Sequence, residues 1–247
     1  MFIVSSDTNR GKVRADNQDC VVSEKVPLAC GEAGLCVVAD GMGGHLAGDV
    51  ASRMAVQELI RYVRSHAGHL HPALLLEQAF AEANAAIYHA SEQRPEYTGM
   101  GTTLTVALLL SERAYICHVG DSRAYKFADG MLLRLTHDHS VVEELLRHGG
   151  ISSRDAKAHP QRHVLTRALG ATRQIVTDCQ EAMLQVGDSL LLCTDGLTQL
   201  LSDKEMESVF RASDHGPTVV KLLMDEALLR GAPDNVTILL ARREAGV

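Results

Sequence analysis

The sequence has no run of Lys and Arg residues, and its formal net charge is −7 over 247 residues. A basic surface of the kind that binds nucleic acid is therefore not expected. No apolar stretch reaches the roughly 18 to 20 residues that a membrane-spanning helix needs, and residues 1–7 lack a basic segment followed by an apolar one. We expect a cytoplasmic protein that binds neither nucleic acid nor a membrane.

The six cysteines contain no C-x-x-C pair. Most of them stand in apolar runs, where a small buried thiol fits better than a disulfide. The cysteines are therefore interpreted as thiols, which is consistent with a reducing compartment.

Short apolar runs that stop at turn signals predict strands, and longer segments with helical spacing predict helices. The predicted strands cover residues 35–39, 102–110, 114–119, 122–127, 189–193 and 236–240. The predicted helices cover residues 50–63, 75–87, 141–146, 204–210 and 219–229. The turns between successive strands of residues 102–127 are too short for crossover helices, so these strands are antiparallel. No segment reads as a linker or a repeat, so residues 1–247 are expected to form one layered α+β domain.

Four aspartates stand at the ends of predicted strands, namely Asp40, Asp121, Asp195 and Asp234. Each has an ordinary explanation when taken singly, because Asp-Gly is a common turn dipeptide and Asp is frequent at loop boundaries. A sheet, however, brings strand ends from distant sequence positions to one edge, and several carboxylates that meet there need a cation to offset their repulsion. Oxygen ligands favour magnesium, manganese or calcium over zinc. The sequence therefore predicts a site for a hard metal ion.

Two other segments resemble known binding motifs but lack a required residue. Residues 41–48 are rich in Gly, but Asp49 stands where a nucleotide-binding P-loop has Lys, and Leu46 stands where the dinucleotide fingerprint has its third Gly. His159 and His163 have the H-x-x-x-H spacing, but the H-E-x-x-H of a zinc-protease helix is absent. We interpret these two histidines as solvated or satisfied within the core.

Arg14 opens the segment R-A-D-N-Q-D at residues 14–19. An arginine fork can bind a phosphoryl group through two parallel hydrogen bonds, which a lysine cannot match. An exposed Arg beside Asp residues is more often part of a surface ion pair, so both interpretations stay open for this residue taken alone.

Seven ordered motifs run through the chain: T-N-R-G-K-V-R-A-D-N-Q-D at 8–19, V-V-A-D-G-M-G-G-H at 37–45, M-G-T-T-L at 100–104, V-G-D-S-R at 119–123, T-H-D-H-S at 136–140, C-T-D-G-L at 193–197 and D-N-V-T at 234–237. Their order and spacing resemble the metal-dependent type-2C Ser/Thr protein phosphatases, the PPM family, in its compact bacterial form. The resemblance covers about residues 3–241. It implies a four-layer α-β-β-α sandwich of two antiparallel sheets flanked by helices, with a metal site at one sheet edge.

The resemblance also implies which residues hold metal. Asp40 would bridge two Mn²⁺ or Mg²⁺ ions. Asp195 and Asp234 would be further ligands of the first ion. The Gly41 carbonyl and, through water, Asp19 would bind the second ion. Together these ions would activate the attacking water, so that no phosphoenzyme and no cysteinyl-phosphate route is expected.

Further roles follow from the same resemblance. Asp121, with Asp195, would form a third and weaker metal site, and Arg14 would bind the substrate phosphate. The segment of about residues 140–167 resembles the flap beside the site in bacterial members. Met42 stands where the animal branch has a His that is proposed to protonate the leaving oxygen, and His45 is a candidate replacement.

The implied function is metal-dependent hydrolysis of phosphoserine and phosphothreonine in proteins, opposing a bacterial Ser/Thr kinase, by a monomer. The partners would be substrates of that kinase, or the kinase itself. Three alternatives stay open: an inactive domain that captures phosphoproteins, a hydrolase of small phosphoesters, and a phosphatase of one anti-sigma antagonist. The first of these predicts a missing metal ligand, and the ligand set is complete.

Overall fold

The structure, a computed structural model, describes residues 1–28, 31–43, 47–152, 155–156 and 159–245. The strands are β1 (Phe2–Asn9), β2 (Asp19–Leu28), β3 (Gly31–Met42), β4 (Gly101–Thr102), β5 (Leu104–Leu110), β6 (Arg113–Val119), β7 (Arg123–Ala128), β8 (Met131–Arg134), β9 (Asp178–Met183), β10 (Ser189–Cys193) and β11 (Val236–Arg243). The helices are α1 (Ala47–His66), α2 (Pro72–Gln93), α3 (Val141–Arg147), α4 (Asp195–Thr198), α5 (Asp203–Ala212) and α6 (Gly216–Leu229). No helix within these described ranges has both the length and the apolar character to cross a membrane.

The strands form two antiparallel sheets. One sheet has the order β1-β11-β10-β7-β8, and the other has the order β2-β3-β5-β6-β9, with the short β4 pairing with the end of β3. The predicted α+β class and the antiparallel pairing of β5, β6 and their neighbours are confirmed.

Three hydrophobic cores separate four layers. Successive side chains of a strand point to opposite faces, so Val37 of β3 packs in the core under α1 and α2, while Val38 packs between the two sheets. On the other sheet, Leu191 of β10 packs against α5 and α6, and Leu192 points to the sheet interface. The layer order is therefore α-β-β-α, as expected.

Four strands were not predicted, and they are the four sheet edges: β1, β2, β8 and β9. Edge strands carry many exposed polar residues, so their hydrophobic pattern is weak. In β1, for example, none of the eight residues is fully buried.

The structure also corrects two predicted strand boundaries. β3 does not end before Asp40 but continues to Met42, because Gly41 and Met42 pair with β4. The predicted strand of residues 102–110 is divided at Thr103, which lies between β4 and β5. Asp40 is consequently held inside a strand rather than in a terminal turn.

The interpretation of all cysteines as thiols is wrong for Cys117 and Cys179. These two residues lie directly opposite each other on β6 and β9, with their Cα atoms 4.2 Å apart, and they form a disulfide. The free thiols in the described residues are Cys20, Cys36 and Cys193. Burial raises the pKa of Cys36 to about 12. Because β9 was not predicted, no strand register was available that would bring Cys179 to Cys117. Cys30 lies outside the described residues.

Candidate active site

The predicted site residues come from both sheets and meet at one edge of the sandwich. Asp19 and Asp40 are direct partners in the β2–β3 pairing. Asp121 follows β6, and Asp195 is the first residue of α4, directly after the end of β10. Asp234 stands just before β11, whose first residues lie beside the end of β10. The topology thus places all five carboxylates at the same end of the two sheets.

A cleft of about 610 Å³ opens at this edge. The predicted residues that line it are Arg14, Asp40, Gly41, Asp121, Asp195 and Asp234. Asp19 does not line the cleft and is 9 % exposed. A larger cavity of about 880 Å³ lies at the opposite end of β3, around Gly31, and none of the described site residues lines it. Size therefore does not identify the site here, whereas the convergence of carboxylates does.

The backbone of Asp40 is fixed by two threonines. The amide of Asp40 donates to Thr103 Oγ1 at 2.9 Å. The carbonyl of Asp40 accepts hydrogen bonds from Thr102 Oγ1 and from the amide of Thr103, both at 2.9 Å. Thr103 Oγ1 is itself 2.8 Å from Ser122 Oγ, one residue after Asp121. These threonines belong to the motif M-G-T-T-L, but the sequence did not show that they position Asp40.

Asp19 is buried between two threonines of the other sheet. Its Oδ2 atom accepts hydrogen bonds from Thr194 Oγ1 at 2.9 Å and from Thr237 Oγ1 at 2.6 Å. Burial raises the pKa of Asp19 to about 7, with a further contribution from the carboxylates of Asp195 and Asp234, while the two threonine hydrogen bonds oppose the shift. Ionisation of Asp19 is therefore less favourable than that of an exposed carboxyl group, and a nearby cation would favour it.

Three of the carboxylates that line the cleft also have a raised pKa. Burial and the charges of Asp19, Asp195 and Asp121 hold the pKa of Asp40 well above its usual range. Burial and Asp195 do the same for the pKa of Asp121. Burial and Asp234 raise the pKa of Asp195. Each ionised carboxylate is unfavourable for the others, and a divalent cation would remove that penalty.

The side-chain oxygens of the aspartates show whether a metal ion fits the site. The buried Oδ1 atoms of Asp19 and Asp195 accept no hydrogen bond from any described residue. Such orphaned anionic oxygens are the donors that Mg²⁺ and Mn²⁺ prefer. As the side chains stand, however, no three described His, Cys, Asp or Glu residues are grouped closely enough to hold an ion. The donor types fit a hard cation, and binding would require the carboxylates to turn towards it.

Other side chains engage the carboxylates in the present arrangement. Arg14 Nη2 donates to Asp234 Oδ2 at 2.8 Å, and this hydrogen bond raises the pKa of the Arg14 guanidinium. Gln199, one helical turn after Asp195, donates to Asp195 Oδ2. Sequence analysis did not identify Gln199, although its i,i+4 spacing from Asp195 was available as a signal. Arg14 thus lies at the cleft, where it forms an ion pair with Asp234, a residue distant from it in the sequence.

The glycine-rich loop is only partly described. Gly41 packs so closely that a Cβ there would lie 2.0 Å from the carbonyl oxygen of Gly48, at the start of α1. This close approach is the reason for glycine at position 41. His45, the candidate general acid, lies outside the described residues together with Gly44 and Leu46.

The flap expected at residues 140–167 contributes to the cleft. Arg162, His163 and Leu165 are among its lining residues. The side chain of His163 is exposed, as the interpretation of a solvated histidine predicts, and His163 is also one of the residues that line the cleft. Spacing alone could not reveal this position, since it depends on how the flap folds back. Residues 153, 154, 157 and 158 of this segment lie outside the described residues.

One cysteine has the C-x-x-x-x-x-R spacing of phosphatases that use a cysteine nucleophile, namely Cys117 with Arg123. The structure places neither residue at the cleft. Cys117 is bonded to Cys179 inside the sheet, and Arg123 Nη2 donates to Asp138 Oδ2 at 2.7 Å. This cysteine is therefore not positioned to attack a phosphate in the cleft.

Comparisons with known proteins agree with this fold. The family model described as Protein phosphatase 2C matches residues 10–228. The serine/threonine phosphatase stp of Listeria monocytogenes serotype 4b is 39 % identical over an alignment of 247 positions. The alignment covers 96 % of this chain and 94 % of that protein. The crystal structure of the Mycobacterium tuberculosis serine/threonine phosphatase PstP/Ppp superposes with a TM-score of 0.87 at 35 % identity, covering 99 % of both chains. A structure of the PstP catalytic domain in complex with two manganese ions gives a TM-score of 0.86 at 32 % identity, again over 99 % of both chains. The chain belongs to the protein phosphatase 2C family.

Proposed function

We propose that the protein hydrolyses phosphoserine and phosphothreonine in phosphoproteins and depends on Mn²⁺ or Mg²⁺ for this activity. The observation that carries the proposal is the convergence of five aspartates from both sheets at one edge, beside Arg14. The stp relative is named a serine/threonine phosphatase, and a PstP structure contains two manganese ions. Both names support the same chemistry for this chain.

Each residue has a role in this proposal. Asp40 would lie between two ions, one shared with Asp195 and Asp234 and the other with the Gly41 carbonyl and Asp19. Bound ions would neutralise the charge on the phosphoryl oxygens and activate the attacking water. The threonine contacts hold the backbone of Asp40 and the Oδ2 atom of Asp19 in place, which limits how far the two residues can move when an ion binds.

Two further parts of the proposal concern the remaining metal position and the substrate. Asp121 with Asp195 would hold a third, weaker ion. Arg14 would bind the substrate phosphate, and Arg162 brings a second guanidinium to the cleft lining. Two positive groups beside a metal site fit a dianionic phosphate monoester.

The biological setting in the proposal is dephosphorylation that opposes a Ser/Thr kinase. The partners would be the kinase's phosphorylated substrates, or the kinase itself, and the active unit would be a monomer. Hydrolysis of small phosphoesters is the alternative that shares every site residue, and the first experiment separates it from the proposal.

That experiment measures phosphate release from a phosphothreonine peptide in the presence of Mn²⁺, Mg²⁺ or excess chelator. We expect turnover with either metal ion and loss of turnover in chelator, because the carboxylates cannot activate water without a cation. A phosphotyrosine peptide of the same sequence and a free phosphorylated amino acid serve as comparisons. Equal rates on all three substrates would favour a general phosphoesterase, and binding of the peptide without turnover would favour a capture domain.

Replacing Arg14 by Ala is expected to raise KM for the phosphothreonine peptide about 10- to 100-fold, the equivalent of a charge-assisted hydrogen-bonded pair. The change also leaves Asp234 without its ion pair, so Mn²⁺ affinity is measured alongside by calorimetry. Arg61→Ala is the control, because Arg61 forms only a surface ion pair with Glu58 on α1. A KM for R14A equal to that of R61A would remove Arg14 from phosphate binding.

A further inference from the structure

The reaction needs a proton for its leaving group, because a serine or threonine alkoxide is strongly basic. A guanidinium does not give up its proton in proteins, which excludes Arg14 and Arg162 among the described residues that line the cleft. The aspartates of the lining would have to be ionised in order to hold metal ions. The amide and hydroxyl side chains of the lining are not acids in this range. His163 is the one described side chain in the cleft lining of a type that exchanges its proton near neutral pH.

The backbone on the C-terminal side of His163 is anchored. The carbonyl of Val164 accepts a hydrogen bond from the amide of Val141, the first residue of α3, at 2.9 Å. Leu165 forms a β-bridge with Ser140, and the amide of Thr166 donates to the carbonyl of His139 at 2.8 Å. These contacts hold the backbone directly after His163 against residues 139–141.

The same segment is tied to the strand that carries Asp40. Leu169 and Thr102 exchange two backbone hydrogen bonds, of 2.9 and 3.1 Å. Thr102 Oγ1 in turn donates to the carbonyl of Asp40 at 2.9 Å. The chain after His163 is therefore hydrogen-bonded, through Leu169 and Thr102, to the backbone of Asp40.

His163 lies close enough to Asp195 for the two side chains to interact electrostatically. Burial and the charge of Asp234 raise the pKa of Asp195, whereas a positive His163 lies near enough to lower it.

Resting on the proposed phosphatase function, we propose that His163 is the general acid that protonates the leaving oxygen of phosphoserine or phosphothreonine. The oxygen of the attacking water bonds to phosphorus while the bond between phosphorus and the substrate's side-chain oxygen breaks. The electron pair of the broken bond goes to that oxygen, which takes a proton from the His163 imidazolium and leaves as the alcohol. The proton lost by the water returns to the imidazole through solvent.

The test compares His163→Gln with wild type on two substrates in the presence of Mn²⁺: a phosphothreonine peptide and 4-nitrophenyl phosphate. Loss of a general acid is expected to lower kcat for the peptide about 100-fold. The decrease for 4-nitrophenyl phosphate should be at least about tenfold smaller, because nitrophenolate is stable without a proton and needs little acid catalysis. A purely structural role of His163 would lower both rates alike.

His89→Gln is the matched control, because His89 is an exposed histidine of α2 that does not line the cleft. Thermal unfolding and Mn²⁺ affinity by calorimetry show whether H163Q keeps its fold and its metal site. A series of aryl phosphates is the second measurement, and the rate of H163Q should depend more steeply on leaving-group pKa than the wild-type rate does.

Three results would overturn the proposal: equal losses on both substrates, a change in KM without a change in kcat, or rates equal to those of H89Q. The second result would make His163 a phosphate-binding group instead. Absence of wild-type turnover on either substrate with Mn²⁺ would be a different failure, because it would contradict the proposed phosphatase function itself.

Discussion

The substitution Asp195→Asn is expected to lower kcat for a phosphothreonine peptide at least about 10³-fold in the presence of Mn²⁺. Asp195 lines the cleft together with Asp40 and Asp234, and the proposal assigns it to the first and the third ion. Because an amide carries no charge, it would bind the ion more weakly than a carboxylate does. The stabilisation of the transition-state charge should then fall by several kcal/mol. Each factor of ten in rate corresponds to about 1.4 kcal/mol. The measurement is steady-state phosphate release.

The fold of this variant is expected to survive. Asn has nearly the shape of Asp, and the substitution removes one of several like charges that burial makes unfavourable. In chelator, its melting temperature should be no lower than that of wild type. Asp225→Asn is the control, since Asp225 is exposed on α6 and pairs only with Lys221 there. Retention of wild-type kcat by D195N would remove Asp195 from the metal site and contradict the proposed ligand set.

The second large effect is expected from Gly196→Ala. A Cβ at Gly196 would lie 1.9 Å from the backbone oxygen of Asn235, a distance at which one of the two backbone segments must move. Gly196 follows Asp195 and Asn235 follows Asp234, so the movement separates two carboxylates of the proposed site. We expect a loss of about 3 kcal/mol or more in the free energy of unfolding, together with loss of most activity.

Urea denaturation measures the first effect, and Gly68→Ala provides the comparison. Gly68 has nothing within 4 Å of its Cβ position, so its substitution should change the free energy of unfolding by no more than about 0.5 kcal/mol. Equal denaturation midpoints for the two variants would mean that the start of α4 and the turn before β11 are not in contact in solution.

The strands and helices with a strong apolar pattern were predictable, and those without one were not. The central strands β5, β6, β10 and β11 are buried almost throughout, so their hydrophobic runs stand out from the flanking turns. The edge strand β9 has no such run, and its absence from the prediction concealed the pairing of Cys117 with Cys179. A disulfide depends on register, and a sequence without a predicted strand provides none.

The candidate site divides in a similar way. The motifs identify Asp40, Asp195 and Asp234, because a carboxylate beside a buried strand is visible in the sequence itself. They do not show that Thr102 and Thr103 hold the backbone of Asp40, since these contacts join residues about 60 positions apart. The partners of a hydrogen bond across a sheet are set by strand pairing, which the local pattern does not contain.

By itself, the sequence determined the α+β class, the antiparallel pairing of the central strands and the aspartates of the cleft. These properties follow from local periodicity, from short turns and from motifs whose residues are close in the chain. Only the tertiary structure decided that Asp19 is buried between Thr194 and Thr237 and that His163 faces the cleft. Burial and electrostatic environment are set by what packs around a residue, and those neighbours come from distant parts of the chain.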